Sequence, residues 1–213
     1  HLAGELFKQM RASRLPIVAR VNGHALAGGF GLMLACDIVV AAADVGMGMP
    51  EVNIGLWPFM ISAIVHRDVP RKIALEMMMT GRRFDAATGE RWGFVNRVVE
   101  REALEAATYE IVDEIASKSA AILSLGKRSF YRAEDMPVDD ALGYLAGMLT
   151  VCLESEDTVE GDSFHRYDRN AMKAAMAEEE ATGEGVHVAA HRRRGAQPQV
   201  AARAQRACAV AQC

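Results

Sequence analysis

Three stretches of this 213-residue chain predict an α/β fold. "PIVARV" (16–21) is an apolar, β-branched run that ends at Asn22-Gly23, a turn pair. Gly28 and Gly29 then open an apolar stretch through Ala35 that reads as a buried helix, and "DIVVAAAD" (37–44) reads as a second short strand. A strand, a turn, a helix and another strand in that order form the unit from which at least partly parallel sheets are built.

The remaining elements follow in order. Leu2, Leu6, Phe7 and Met10 fall at helical spacing, and Arg11 and Arg14 close that helix before Pro16. "MGMPEVNIGLWPFMISAIVHRDVP" (47–70) is punctuated by Gly and Pro and passes into a helix over 58–66, which leaves Glu51 on a loop or short turn. "RKIALEMMMTG" predicts a helix stopped at Gly81, with Met77 to Met79 as core. "FDAATGERWG" predicts a helix capped by Asp85, and "FVNRVV" a strand. Amphipathic helices are expected over 101–120, 121–131 and 138–154.

Composition narrows the functional classes. With 51% hydrophobic residues the chain can bury the core of an ordinary domain. A net charge of −4 gives no basic excess to steer it to nucleic acid or anionic lipid. Asp37 and Asp44 interrupt the most apolar region before it reaches the roughly 18 residues that span a bilayer. Cys36, Cys152, Cys208 and Cys213 contain no C-x-x-C pair and none has metal-ligand spacing to a histidine, so no metal site and a reduced, cytoplasmic setting are expected.

Beyond Gly161 the character changes. Residues 171–180 could form a charged helix, whereas 188–213 carry five arginines, no acid and no apolar period, and are expected to be disordered. The division expected is a core with the functional site over 1–100, a helical region over 101–161 and an atypical tail over 162–213.

The stretches "PIVARVNGHALAGGFGLMLACDIVVAA", "MPEVNIGL", "ALEMMMTGRRFDAATGERWGFVNRVV" and "SLGKRSFY" together resemble, in order and spacing, the enoyl-CoA hydratase/isomerase or crotonase superfamily. The resemblance runs from about Leu2 to Gly161. It implies a crotonase-like ββα spiral, here partial because the units that precede "PIVARVNG" in the family are not in this chain, followed by a C-terminal helical region that builds trimers or hexamers. The family ends in an "AF" plus basic pattern that helps bind coenzyme A; this chain runs instead to "GDSFHRYDRN".

The resemblance also implies a site. Family members hold the carbonyl oxygen of an acyl-CoA thioester between two backbone N–H groups, one of which matches Gly28, beside Gly29. The other comes from an earlier segment. Losing one such donor costs roughly 3–4 kcal/mol of transition-state stabilisation. Coenzyme A enters as part of the substrate, and no separate cofactor is expected. Hydratases of the family use two glutamates; one matches Glu51 and the other falls on Gly31, which cannot orient water. The isomerases need a single glutamate at the Glu51 position, so the reading favours double-bond isomerisation of a fatty acyl-CoA. The alternatives are an enoyl-CoA hydratase or a catalytically weak acyl-CoA-binding relative.

Glu51, beside Ile54, Leu56, Trp57 and Phe59, has an apolar neighbourhood suited to a general base. Catalytic roles are therefore expected at Glu51 and Gly28, and substrate contacts at Gly29, Gly31, Trp57 and Phe59. Helix–sheet packing is the competing explanation for the glycine pair. His24 is expected to be a hydrogen-bonded structural residue, and Arg82 and Arg83 to be solvated or paired with Asp85 or Glu90. A dinucleotide site is disfavoured because G-x-G-x-x-G is missing, and Gly28-Gly29-Phe30 offers no hydroxyl for a serine-protease reading.

Overall fold

The structure, a computed structural model, describes residues 2–155 and the backbone of 209–212. One unit spans 1–135 and 200–213, and a second spans 136–199. The first unit thus takes in residues 101–135 along with the strands. The cause is the sequence of α6 (Leu104–Ala116), whose Leu104 and Thr108 are buried and which packs on the first two strands of the main sheet. Helix α6 belongs to the core it covers.

That sheet is parallel throughout. β1 (Ile17–Val21) pairs with β3 (Ile38–Ala42) in the register Val18 with Ile38, and β3 continues to β6 (Arg97–Val99). On the far edge of β1 lies β7 (Ala209–Gln212), in register Ile17 with Ala209. At these four residues a strand stands where disorder is expected: β1 presents an unpaired row of N–H and C=O groups on that edge, and a short extended segment satisfies it, while the rest of 188–213 lies outside the described residues. The charged helix expected over 171–180 lies outside the described residues.

A second, three-stranded sheet escapes the sequence reading. It joins β2 (Ala25–Leu26), β4 (Gly46–Gly48) and β5 (Arg83–Asp85), parallel then antiparallel. Strands of two or three residues are too short to show a period.

The helices lie near their expected places. α1 (Leu2–Ala12) and α2 (Gly28–Leu34) flank the first strand, and α3 (Phe59–Asp68) follows the Gly/Pro-rich connection. α4 (Arg71–Thr80) ends at Gly81 with φ 61°, a left-handed stop that glycine adopts at least cost. α5 (Ala86–Trp92) is capped by Asp85, whose Oδ1 accepts the Thr88 N–H at 2.7 Å. α7 (Ala120–Ala133) starts at Ser119, which accepts the Ile122 N–H. In the second unit the described element is α8 (Val138–Leu153). Among the described residues no helix is long and apolar enough to cross a membrane.

The core centres on Val18, Val21, Phe30, Met33, Val40, Met47, Met49 and Met77, all at most 1% exposed. Phe30 meets Phe94 edge-on at 5.6 Å between ring centroids. This rigid centre fixes the start of α2, and so the glycine pair.

Candidate active site

Gly28 and Gly29 begin α2 at the wall of a cavity of about 490 Å³. A Cβ built on either glycine would meet nothing within 4 Å. Helix–sheet packing therefore does not account for the pair. The space beside them is the cavity itself, open for a ligand to approach the backbone.

The orientation of the Gly28 amide follows from its neighbours. The Ala27 carbonyl accepts the Gly31 N–H at 3.2 Å and so points into the helix. Across a trans peptide the N–H of the next residue points the opposite way. The Gly28 N–H is thus directed out of the N-terminal end of α2, where the helix supplies positive partial charge.

Glu51 lies in the 3-10 turn Pro50–Ile54, started by Pro50 and ended by Gly55 at φ 75°. Its main chain is held by the Leu56 N–H, which donates to the Glu51 carbonyl at 3.1 Å. The turn is braced against α4, where Asn53 Nδ2 donates to the Gly81 carbonyl at 3.4 Å. Glu51 lines the cavity, and its Oε2 is shut from solvent with no hydrogen-bond partner among the described residues. A buried carboxylate oxygen without a donor is costly, by about 1–3 kcal/mol or more, and such an atom calls for an explanation.

Apolar side chains form the rest of the wall. Trp57 and Phe59 line the cavity as expected from sequence, with Leu56, Pro58, Met60 and Ile61 from the same segment. Ala3, Leu6 and Phe7 of α1 and Leu32 of α2 complete it. Sequence reasoning found α1 as an amphipathic helix but did not assign it to the site. Its apolar period marks a face, and only the tertiary fold says what that face covers.

Gly31 stands apart. It is expected as a substrate contact but is not among the residues that line the cavity. It is buried where α2 meets α3, and a Cβ there would lie 2.7 Å from Ile61 Cβ and closer still to Ile61 Cγ2. Gly31 is a packing glycine, and no larger side chain fits unless α3 moves.

Other candidates have structural partners. His24 Nδ1 accepts the Gly46 N–H at 2.8 Å, which joins the turn after β1 to β4. Arg82 pairs loosely with Glu76 at 4.0 Å rather than with Asp85 or Glu90. Asp85 is committed to its cap, and its carboxyl is held below the usual range by the Thr88 hydrogen bonds. Among the described residues no group of three or more His, Cys, Asp or Glu is placed to hold a metal ion.

The stretch "SLGKRSFY" supplies a network that the sequence did not reveal. Asp37 Oδ2 accepts both the Ile17 N–H at 2.6 Å and the Lys127 ammonium at 2.7 Å. The Tyr131 hydroxyl donates to Asp37 Oδ1 at 2.7 Å. Burial, then the Asp37 carboxylate, push the Tyr131 hydroxyl above its ordinary pKa, so it remains a donor. The guanidinium of Arg11 stacks on the Tyr131 ring at 4.4 Å. The network ties β1, α1 and α7 together.

Two small sheets and a helix that bring a backbone N–H and a carboxylate to one apolar cavity define the class, an α/β protein with a candidate ligand site between its glycine pair and Glu51. A sequence profile of the enoyl-CoA hydratase/isomerase family matches residues 3–173, and the chain belongs to that family. It is 36% identical over 151 residues to a carnitinyl-CoA dehydratase of Citrobacter koseri, covering 68% of this chain and 58% of that protein. It is 39% identical over 140 residues to the mouse mitochondrial enoyl-CoA hydratase domain-containing protein 3, covering 66% of this chain and 46% of that one. The chain thus spans about half the length of these curated relatives.

Solved structures agree with the fold. The human enoyl coenzyme A hydratase domain-containing protein 3 superposes with a TM-score of 0.73 at 32% identity, over 76% of this chain and 64% of that one. An enoyl-CoA hydratase of Mycobacterium smegmatis gives a TM-score of 0.74 at 29% identity, over 76% and 63%.

Proposed function

We propose that this chain binds an acyl-CoA thioester and moves its double bond, with Glu51 as the single base. The supporting observation is the buried, unpartnered Oε2 of Glu51 on an apolar cavity wall that also contains Gly28. In this reading the thioester carbonyl accepts the Gly28 N–H and C2 is turned toward Glu51, two residues that line the same cavity.

The chemistry then balances with one carboxylate. Glu51 removes a proton from C2 of a 3-enoyl thioester, and the C–H electron pair flows into the carbonyl to give a dienolate. The Gly28 N–H stabilises the negative oxygen. Glu51 returns the proton at C4, the electrons return from oxygen, and a 2-enoyl thioester remains. Hydration instead requires a water oriented between two polar groups, and the packing of Ile61 against Gly31 leaves no room for a second carboxylate there.

A weakly catalytic acyl-CoA binder is the second reading. It is favoured by Gly31, which stands where the resemblance implies the second glutamate of the hydratases. A homotrimer or hexamer is also part of the proposal. Its support is the exposed Phe130 on α7 and the exposed Leu142 and Val151 on α8. The cysteine usage supports a cytoplasmic setting.

The decisive experiment offers the purified chain a 3-enoyl-CoA and a 2-enoyl-CoA. Isomerisation that disappears in Glu51→Gln is the expected result. Hydration of the 2-enoyl substrate overturns the argument from Gly31, and tight binding of both without turnover selects the second reading.

A further inference from the structure

Ala27 is the one non-glycine residue among the described residues with positive φ, at φ 52° and ψ −124°. This conformation lies outside the small left-handed helical region; glycine adopts it freely, whereas a Cβ makes it strained. It stands directly before the amide that the proposed reaction needs.

Both sides of Ala27 are tied. Its N–H donates to the Gly48 carbonyl at 2.9 Å, which fastens it to β4. Its carbonyl accepts the Gly31 N–H and begins α2. Relaxing φ to a negative value would break one of these bonds or turn the peptide plane that ends in the Gly28 N–H. Strain persists only where surrounding structure over-determines it, and here two hydrogen bonds do so.

We propose that Ala27 is a positioning residue, whose positive φ turns the Ala27–Gly28 peptide so that the Gly28 N–H faces the cavity. The inference rests on the acyl-CoA reading given above. It extends that reading from the groups that touch substrate to the residue that aims one of them.

The test uses 3-oxobutanoyl-CoA, a thioester whose enolate absorbs in the near ultraviolet, so that binding next to an oxyanion donor is read without turnover. The whole chain and the variants Ala27→Gly and Ala27→Val are compared, with circular dichroism and thermal melting in parallel. Valine is β-branched and cannot hold this φ. Ala27→Val, folded by circular dichroism, should lose the enolate band by about 100-fold, the scale of one oxyanion donor. Ala27→Gly should rescue the band, and it should melt about 2–4 °C higher as the strain is released.

A folded Ala27→Val with the full band overturns the proposal. So does an Ala27→Gly that melts lower than the parent, a result that stands even where the valine variant fails to fold. Absence of the band in the parent chain strikes the acyl-CoA reading itself, whereas a band in the parent that ignores both variants strikes only the role of Ala27.

Discussion

Replacing Gly31 with alanine adds one methyl group at the place where α2 and α3 touch. The new Cβ would sit 2.7 Å from Ile61 Cβ and 3.3 Å from Phe7 Cζ. The first distance is roughly 1 Å short of ordinary carbon contact. Phe7 can yield by a small ring shift, but Ile61 Cβ is fixed to the main chain of α3, so the helix itself must retreat. Overpacking of this kind costs about 1–3 kcal/mol, and a main-chain obstacle puts it at the upper end. Alanine recovers about 1 kcal/mol as the better helix former. The net loss is then about 2 kcal/mol, or a fall in melting temperature of roughly 4–8 °C for a chain of this size. Thermal melts followed by far-ultraviolet circular dichroism measure it. Ile61→Ala alone should cost about 3 kcal/mol by leaving a cavity. The double variant should be more stable than the sum of the two predicts, because removing Cγ2 relieves part of the clash. If Gly31→Ala melts at or above the parent, α3 does not press on Gly31. The steric case against a second carboxylate then fails with it.

Three further outcomes follow from single side chains. Lys127→Met leaves Asp37 with the Ile17 N–H and the Tyr131 hydroxyl but without its cation, in a pair only 7% and 17% exposed. Urea unfolding should show a loss of about 3 kcal/mol, and a loss below about 1 kcal/mol would mean that the pair is solvated. Asp68 is pushed up to about 6, first by burial and then by the charge of Glu134. A carboxyl whose folded pKa exceeds its unfolded value stabilises the fold in its protonated form, so stability is lost as pH rises from about 4 through 6. Solvent access to Asp68 reduces the effect to about 1 kcal/mol; Asp68→Asn should therefore gain that much at pH 7 and nothing at pH 3.5, in melts taken across that range. Glu51→Gln should raise stability by about 1 kcal/mol while removing proton transfer, because a neutral amide loses less on burial than a carboxylate. A destabilised Glu51→Gln would show that Oε2 has a partner.

Much of the scaffold was legible because local chemistry dictates it. Asp85 before "AATGERWG" could act as a cap without reference to the rest of the chain, and Gly81 could stop α4 by its own φ. The alternation-free run Ile17–Val21 reads as a strand buried on both faces, which is how it stands in the parallel sheet. What the sequence did not disclose depends on distant partners. Arg101, for instance, reaches back to donate to the Asn22 carbonyl at 2.6 Å and clamps Asp44, whose carboxyl it lowers. Nothing near Arg101 announces that role. The site divides along the same line: Gly28, Gly29, Glu51, Trp57 and Phe59 were marked by a local motif, whereas Leu6, Phe7 and Ile61 enter only because α1 and α3 fold across it.

Gly31 and Glu51 illustrate two kinds of departure from ordinary sequence rules, and the difference bears on function. A glycine inside a helix costs about 1 kcal/mol relative to alanine, but at Gly31 the packing of Ile61 repays it, since any other residue would push α3 away. The departure is resolved within the protein. The buried Oε2 of Glu51 has no such resolution among the described residues, while the positive φ of Ala27 is held by the two hydrogen bonds on either side of it. Where such a cost falls at a cavity, a bound molecule is one way to relieve it. Among the buried side-chain atoms without a hydrogen-bond partner, which also include Arg20 Nε, Arg67 Nε, Ser124 Oγ and Ser129 Oγ, the Glu51 oxygen is the one whose residue lines the cavity, and the Ala27 turn leads into Gly28 of the same wall. A ligand that donates a transferable proton toward Glu51 and presents an anionic oxygen to Gly28 would satisfy both at once, and a thioester poised to become an enolate is such a molecule.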